Sequence, residues 1–241
     1  MVAFKDPANH PRSMFYPTTS EVLVKKGIQV SRSIEFEKRP FLIWKRCFDL
    51  ITSVLLLILI MTWLIPLVSF LILLDSGGPV FFSQRRVGRR GKTFLCFKFR
   101  TMCQNKEADE RQAMENDARI TRLGKFLRKT NIDEFPQLFN VFLGQMSIVG
   151  PRPYMVSDCI KFSAQIPDYT FRDIMKPGMT GLSQVRGYSG PIANWESLFK
   201  RFQWDTFYIR NATFWLDLRI IQQTAFQRIK FLIQYLTNRE D

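Results

Sequence analysis

Apolar positions are unevenly spread along this chain. The longest run is Cys47–Leu74, whose one charged residue is Asp49, near its entry. A straight helix of this length would span a ~30 Å hydrocarbon core, which needs roughly 20 residues. Two features complicate a simple span. Pro66 interrupts the run and removes a helical hydrogen bond, which favours a kink. Lys38, Arg39, Lys45 and Arg46 precede the run, and Arg85, Arg86, Arg89, Arg90 and Lys92 follow it. The positive-inside rule then puts both flanks on the cytoplasmic side. One crossing cannot do that, whereas a re-entrant helical hairpin bent at Pro66 can. Carbonyls freed at such a bend need partners, and Thr62 and Ser69 are at hand. An ordinary spanning anchor, positive on both flanks by chance, stays open on these residues alone. A buried core helix does not fit this length and apolarity.

The rest of the chain punctuates into short elements. Residues 1–39 lack steady periodicity, carry Pro7, Pro11 and Pro17, and read as a basic surface arm with a short strand near Glu21–Val24. No apolar core with a small-residue cleavage site marks them as a signal peptide. After the run, Asp75-Ser-Gly-Gly-Pro79 is turn chemistry. Val80–Ser83 and Thr93–Arg100 read as strands around a basic Gly-containing turn, Gln84–Lys92. Alternation puts Lys98 and Arg100 on one face. Residues 104–118 are polar and mixed in charge, a solvated loop or exposed helix. Thr121–Arg128 reads as a short amphipathic helix, and Leu138–Gly144 as a helix stopped at its glycine. Gln145–Pro153 is a rigid loop that presents Arg152 between two prolines. A helix from Tyr154 breaks at Pro167, Lys176–Gly181 is a loop, and Leu182–Gly187 a short strand. Pro191–Tyr208 carries a helical pattern through Trp195, Leu198, Phe202 and Asp205. Phe214–Leu236 reads as an amphipathic helix suited either to a membrane interface or to packing on the domain.

Composition narrows the chemistry. The 241 residues carry a formal charge of +14, which suits nucleic acid, an anionic membrane leaflet or a phosphorylated substrate. Charge alone does not choose among them. Cys47, Cys96, Cys103 and Cys159 show no CxxC spacing, which fits a reduced, cytosol-facing protein. His10 is the single histidine. A His-based triad or His-rich metal site is thereby nearly excluded, and acid, base or covalent work falls to carboxylates, Cys, Lys or hydroxyls.

Against that background Arg128-Lys-Thr-Asn-Ile-Asp-Glu-Phe-Pro-Gln137 stands out. It sets Asp133 and Glu134 side by side at what reads as a helix start. Asn131-Ile-Asp-Glu134 also fits a capping box, and acids are favoured in a first helical turn. The surroundings add a second reading. Arg128 and Lys129 lie just upstream, Pro136 fixes the backbone downstream, and Lys98, Arg100 and Arg152 are cations in apolar or rigid settings. Paired carboxylates among cations suit phosphoryl chemistry with a divalent ion. No G-x-x-x-x-G-K-[ST] loop or Rossmann glycine pattern is present.

The chain resembles the bacterial sugar transferase family, the monotopic phosphoglycosyl transferases, from about Lys45 to Thr224. The matching stretches include Lys45-Arg-Cys-Phe-Asp49, Gly78-Pro-Val-Phe-Phe-Ser-Gln-Arg-Arg-Val-Gly88 and Phe97-Lys-Phe-Arg-Thr-Met102. Ile132-Asp-Glu-Phe-Pro-Gln-Leu-Phe-Asn-Val141, Met146-Ser-Ile-Val-Gly-Pro-Arg-Pro153, Lys176-Pro-Gly-Met-Thr-Gly181, Gln184-Val-Arg-Gly187 and Trp215-Leu-Asp-Leu-Arg-Ile-Ile221 follow in order. The resemblance implies transfer of a sugar-1-phosphate from a UDP-sugar to a polyprenyl (undecaprenyl) phosphate. It implies a covalent phosphosugar-enzyme intermediate, release of UMP and a need for Mg²⁺. Asp133 would be the nucleophile, and Glu134 would assist through the metal or a proton, the pair together holding the ion. Lys98, Arg100, Arg128, Pro151, Arg152, Pro153, Arg186 and Asp205 would serve substrate binding. The membrane element would be a re-entrant hairpin broken at Pro66.

The implied fold is α+β and mostly helical: a re-entrant membrane helical hairpin plus a small cytosolic catalytic domain with a short β-hairpin and interfacial amphipathic helices. Its segments would be an arm at 1–39, the hairpin at 40–76, the catalytic domain at 77–213 and a C-terminal helix at 214–241. The protein would sit on the cytoplasmic face of a bacterial inner membrane and start an exopolysaccharide, capsule or O-antigen-type glycan. A homodimer is compatible with this, and no nucleic-acid partner is expected. Two departures stand out. Ile65 replaces the serine that small members often carry before the hairpin proline, and Ser-Gly-Pro-Ile-Ala193 replaces a segment that often carries Arg or Glu. Larger members have further helices and a domain before this core, so the core is expected to suffice for catalysis. The competing reading is a non-catalytic basic adaptor that binds anionic lipid or nucleic acid.

Overall fold

The computed structural model describes residues 39–103, 117–190, 192 and 194–237. The arm, its strand near Glu21–Val24 and most of the polar 104–118 stretch lie outside the described residues. The apolar run forms one long helical stretch. Helix α1 (Arg39–Leu56) passes through a π-helical turn (Leu57–Met61) into α2 (Thr62–Ser76). Pro40 sits in the first turn of α1, where its missing N–H costs no bond. Pro66 lies inside α2, so the irregular hydrogen bonding falls one turn upstream of the proline rather than at it. Thr62 Oγ1 donates to the Ile58 carbonyl (2.8 Å) and Trp63 Nε1 to that of Leu59 (2.9 Å). Side chains thus occupy carbonyls on the disturbed turn. Thr62 was an expected partner; Trp63 was not. Gly77, at φ 58°, ends α2 and donates its N–H to the Leu73 carbonyl.

The stretch Pro40–Ser76 is long and apolar enough to cross a membrane, and only 22% of its most apolar window is buried. It is therefore no core helix. Both ends are nevertheless tied to the same body. Near the start of α1, Lys45 Nζ donates to Asp217 (2.5 Å), and Arg46 donates to the carbonyls of Val141 and Phe142. Asp49 accepts from Ser147 Oγ and the Ile148 N–H, both at 3.0 Å. At the end of α2, Arg100 reaches Ser76 Oγ (2.9 Å) and the Gly77 carbonyl. The inner face of α2 (Leu64, Val68, Ile72) enters the main core with Met61, Phe94, Cys96, Phe99 and Leu127.

Strands β1 (Phe81–Val87) and β2 (Thr93–Phe99) form an antiparallel hairpin with Phe81 opposite Phe99 and Val87 opposite Thr93. Strand β1 is longer than the hydrophobic pattern indicates, because Gln84–Val87 continue it instead of joining the turn, whereas β2 falls one residue short of the expected Thr93–Arg100. Next come α3 (Arg122–Thr130), a 3₁₀ turn (Ile132–Glu134) and α4 (Gln137–Phe142). Gly124 lets α3 lie against the chain leaving β2: a Cβ there would stand 2.1 Å from the Thr101 carbonyl oxygen. Gly144, at φ 79°, follows α4 as expected.

Strand β3 (Ser147–Val149) and helix α5 (Val156–Gln165) follow, and α5 ends before Pro167. Strand β4 (Gly178–Thr180) pairs parallel with β3. Both strands fall in segments that read as loops, because three-residue strands leave no alternation to detect. Leu182–Val185 is the short helix α6, not the expected strand; its N–H groups turn back to carbonyls at Gly181 and Leu182. Helices α7 (Trp195–Asn211) and α8 (Phe214–Thr237) complete the body. A capping box between Asn194 and Ser197 starts α7. A second small core gathers Val87, Tyr154, Cys159, Phe162, Ile166, Tyr169 and Leu198.

Candidate active site

The carboxylate pair lies in the 3₁₀ turn between α3 and α4. Asn131, in the left-handed region at φ 59°, closes α3 and opens that turn. The expected capping box does not form: the Asn131 side chain makes no cap bond, and the N–H groups of Glu134 and Phe135 go to the carbonyls of Asn131 and Ile132. Those two amides are therefore not free. Asn140 fixes the following helix to the hairpin. Its amide donates to the Leu95 carbonyl (2.6 Å) and accepts from the Phe97 N–H (3.0 Å). That clamp holds β2, and with it Lys98, beside the turn.

The two carboxylates have unlike surroundings. Glu134 Oε1 accepts from Lys98 Nζ at 2.8 Å and from Arg152 Nη2 at 3.1 Å. Burial pushes its pKa up, but the Arg152 and Lys98 charges and their hydrogen bonds outweigh that and hold Glu134 below the carboxylate range. Asp133 is buried and makes no hydrogen bond or ion pair among the described residues. Burial lifts it to about 6, despite the Lys98, Arg128 and Arg152 charges, and the Glu134 charge adds to the rise. One acid stays ionised and clamped; the other keeps its lone pairs free and is the more basic.

The remaining expected site residues divide. Lys98 and Arg152 meet at Glu134. Arg128 is half-buried at the end of α3 and close enough to Asp133 to act on its charge. Arg100 is not brought to the pair, since it binds the end of α2 instead. Pro151 and Pro153 frame Arg152, and their carbonyls accept from the Gly178 N–H and from Arg86. Arg186 is exposed, stacks over Trp204 at 4.9 Å, and lines a separate cleft with Val185, Gln222 and Phe226. Asp205 is buried in a polar knot: it accepts from Arg172 Nη2 (2.9 Å) and Ser183 Oγ (2.8 Å).

Arg172 is the residue the sequence did not single out. It is 4% exposed and donates to both Asp205 and the Arg152 carbonyl (2.6 Å). Its guanidinium also lies over Tyr154 at 4.5 Å and Tyr169 at 5.3 Å. It thereby sets the Pro-Arg-Pro loop from behind. A signal existed, a lone cation in Tyr169-Thr-Phe-Arg172, of the same kind that drew attention to Lys98. Asn140, in an otherwise apolar run, was legible in the same way.

A divalent ion fits the donor set only in part. Among the described residues no cluster of three or more His, Cys, Asp and Glu side chains could cage one. Mg²⁺, however, is commonly held by one or two carboxylates together with substrate phosphates and water. Asp133 has both oxygens free, and Glu134 Oε2 has only a long contact from Asn131, at 3.5 Å.

The family model of the bacterial sugar transferases matches residues 41–231. A UDP-glucose:undecaprenyl-phosphate glucose-1-phosphate transferase of Klebsiella pneumoniae is 44% identical over 187 residues, covering 77% of this chain and 40% of that protein. An N-acetylgalactosaminephosphotransferase of Aeromonas hydrophila, named for UDP-N-acetylgalactosamine and undecaprenyl phosphate, is 41% identical over 182 residues, 75% of this chain and 42% of its own length. The exopolysaccharide production protein of Rhizobium leguminosarum bv. phaseoli is 41% identical over 189 residues, 76% of this chain and 94% of its own. The match thus spans about two fifths of the length of the first two relatives. The family match covers most of the chain, with the apolar run, the carboxylate turn and the loop that carries Arg152 inside it, and on that basis the chain belongs to the bacterial sugar transferase family.

Proposed function

We propose that this protein transfers a sugar-1-phosphate from a UDP-sugar to undecaprenyl or a similar polyprenyl phosphate. The observation that carries the reading is the asymmetry of the carboxylate pair. A free, buried carboxylate of raised basicity is suited to attack phosphorus, while its neighbour stays ionised between two cations. In the first step an Asp133 oxygen bonds to the β-phosphorus, the bond from that phosphorus to the bridging oxygen breaks, and UMP leaves with the electron pair. In the second, an oxygen of polyprenyl phosphate attacks the same phosphorus and the Asp133 carboxylate departs. Lys98 and Arg152 orient Glu134 and offset charge at the transferring phosphoryl group. Asp133 and Glu134 would hold Mg²⁺ against the diphosphate, and the ion would screen charge there. Names of relatives with UDP-glucose and UDP-N-acetylgalactosamine support the substrate class.

The same reading extends to the membrane. Tethers from one body to both ends of the Arg39–Ser76 helix favour entry and return on one side over a straight crossing. Ile43, Trp44, Ile51, Ile58, Trp63, Phe70 and Leu74 expose apolar surface along it. The outer face of α8 does likewise at Trp215, Phe226, Ile229 and Ile233, and basic flanks favour the cytoplasmic side. A basic adaptor would keep its cations open to solvent, whereas Lys98 and Arg152 are spent on Glu134. The test is UMP release from a panel of UDP-sugars with polyprenyl phosphate. One donor should be turned over by the wild type and by no means in Asp133→Asn; full activity of that variant would overturn the nucleophile.

A further inference from the structure

Helix α8 is fastened along one stripe. Asp217, Thr224, Arg228, Phe231 and Tyr235 recur at spacings of seven, four, three and four, which puts them on one helical face. Asp217 is bonded to Lys45 and to the Tyr208 hydroxyl (2.7 Å). Thr224 Oγ1 is 2.7 Å from Thr180 Oγ1 in β4. Tyr235 packs on Phe126, with ring centroids 6.4 Å apart, and Lys129 Nζ lies over its ring at 5.2 Å. Phe126 and Lys129 belong to α3, which ends one residue before the carboxylate turn.

The helix therefore runs from β4, beside the Pro-Arg-Pro loop, to α3, just ahead of Asp133. Arg228 is solvent-exposed and lies on the same helical face, between those two ties. The Glu134, Arg152 and Asp133 charges all act on its guanidinium, with Glu134 the strongest. Among the described residues the Arg228 side chain makes no hydrogen bond or ion pair, and the same holds for the side chain of Arg128. Lys98 and Arg152 each give one hydrogen bond to Glu134. The turn thus has two cations tied to a carboxylate and two whose guanidinium donors are all uncommitted.

We propose that Arg228 is a further phosphate-binding residue of this site, held opposite Arg128 by α8 acting as a strap. This rests on the transferase reading, in which two phosphate sources meet the dyad: the diphosphate of the donor and the phosphate of the acceptor. Guanidinium binds either through paired N–H donors.

The test compares Arg228→Ala and Arg228→Lys with Lys230→Ala, which removes an equal charge from another face of α8. All are measured on the full chain. Loss of a charge-assisted hydrogen bond predicts a KM raised about tenfold or more in Arg228→Ala, with kcat changed less. Lysine should restore part of it, and Lys230→Ala should stay within about twofold. UMP released without acceptor reads the donor; turnover against polyprenyl phosphate at saturating donor reads the acceptor. Binding of inorganic pyrophosphate, followed as a shift in thermal midpoint, should weaken about tenfold in Arg228→Ala while its unliganded midpoint stays near that of the wild type. A wild type that turns over no UDP-sugar yet binds pyrophosphate through Arg228 would sink the transferase reading and keep the phosphate site. Equal KM values in wild type and Arg228→Ala, an equal fall in Lys230→Ala, or pyrophosphate binding that is absent or indifferent to Arg228 would overturn the strap.

Discussion

Replacing Asp133 by Asn should stabilise this protein at alkaline pH while it abolishes transfer. Burial lifts the Asp133 carboxyl from an ordinary 3.8 to about 6, and unfolding restores the ordinary value. A difference of roughly 2 units, at about 1.4 kcal/mol each, is about 3 kcal/mol. Its sign follows from proton binding: the folded state holds this proton more tightly than the unfolded one. Below about pH 4 both states carry it and Asp133 contributes nothing. As pH climbs from 4 to 6 the unfolded chain loses its proton first, and stability falls. Above pH 6 the whole cost of the buried charge is in place.

Asparagine keeps the size and removes the charge, but its buried amide offsets about 1–2 kcal/mol unless it finds a partner. The net gain at pH 8 is then roughly 1–2 kcal/mol. At about 2–4 °C per kcal/mol for a chain of this size, that raises the thermal midpoint by roughly 2–8 °C. The measurement is thermal unfolding of the detergent-solubilised chain at pH 8 and pH 4, with UMP release followed at pH 8. Asp173, which burial pushes up to about 7, titrates in the same window. The difference between the two proteins therefore carries the test, since Asp173 is common to both. An equal shift at both pH values, or none at pH 8, would refute the buried-charge account.

Three other outcomes are expected. Arg172→Lys keeps the charge but loses the planar fork that reaches Asp205 and the Arg152 carbonyl together; kcat should drop about tenfold or more with KM for the UDP-sugar changed less, and a wild-type kcat would remove its positioning role. Gly124→Ala forces a Cβ to within 2.1 Å of the Thr101 carbonyl oxygen, so α3 must shift; a loss of about 2–3 kcal/mol in denaturant unfolding is expected, and an unchanged midpoint would contradict the packing. Because a nucleophilic Asp133 must be ionised, kcat/KM for the UDP-sugar should rise as pH passes upward through about 6; a profile flat from pH 5 to pH 8 would count against that assignment.

Much of this site was legible because its residues are chemically out of place. Lys98 in an aromatic strand and Arg152 between prolines needed anionic partners, and both have one in Glu134. Arg100 gave the same signal and went elsewhere. A buried cation announces that it has a partner, not which one, and carbonyls at a helix end serve as well as a carboxylate. Asp205, given a substrate role only by the resemblance, has its oxygens bonded to Arg172 and Ser183. The fold was legible where the hydrophobic period is long, as in α7 and α8. It was lost where three residues make a strand, as in β3 and β4, whose pairing depends on Gly150 and Gly178 coming into backbone contact.

The unlike chemistry of adjacent acids has its origin far from them in sequence. Two cations hold Glu134, and each hangs from a strand that an opposite end of the apolar helix anchors. Lys98 lies two residues before Arg100, which is bound to Ser76 and Gly77 at the end of α2. Arg152 lies three residues beyond β3, whose Ser147 hydroxyl and Ile148 N–H are bound to Asp49 in α1. The separation of Lys98 from Arg152 is thus set by where the two helix ends meet the body. Moving either end would move one of the two charges that keep Glu134 ionised, and a protonated Glu134 would no longer add its charge to the rise in Asp133. The apolar helix is therefore part of what divides the labour between the acids. In the proposed transferase, whose acceptor phosphate arrives on a lipid, this couples the carboxylate pair to the segment proposed to meet that lipid.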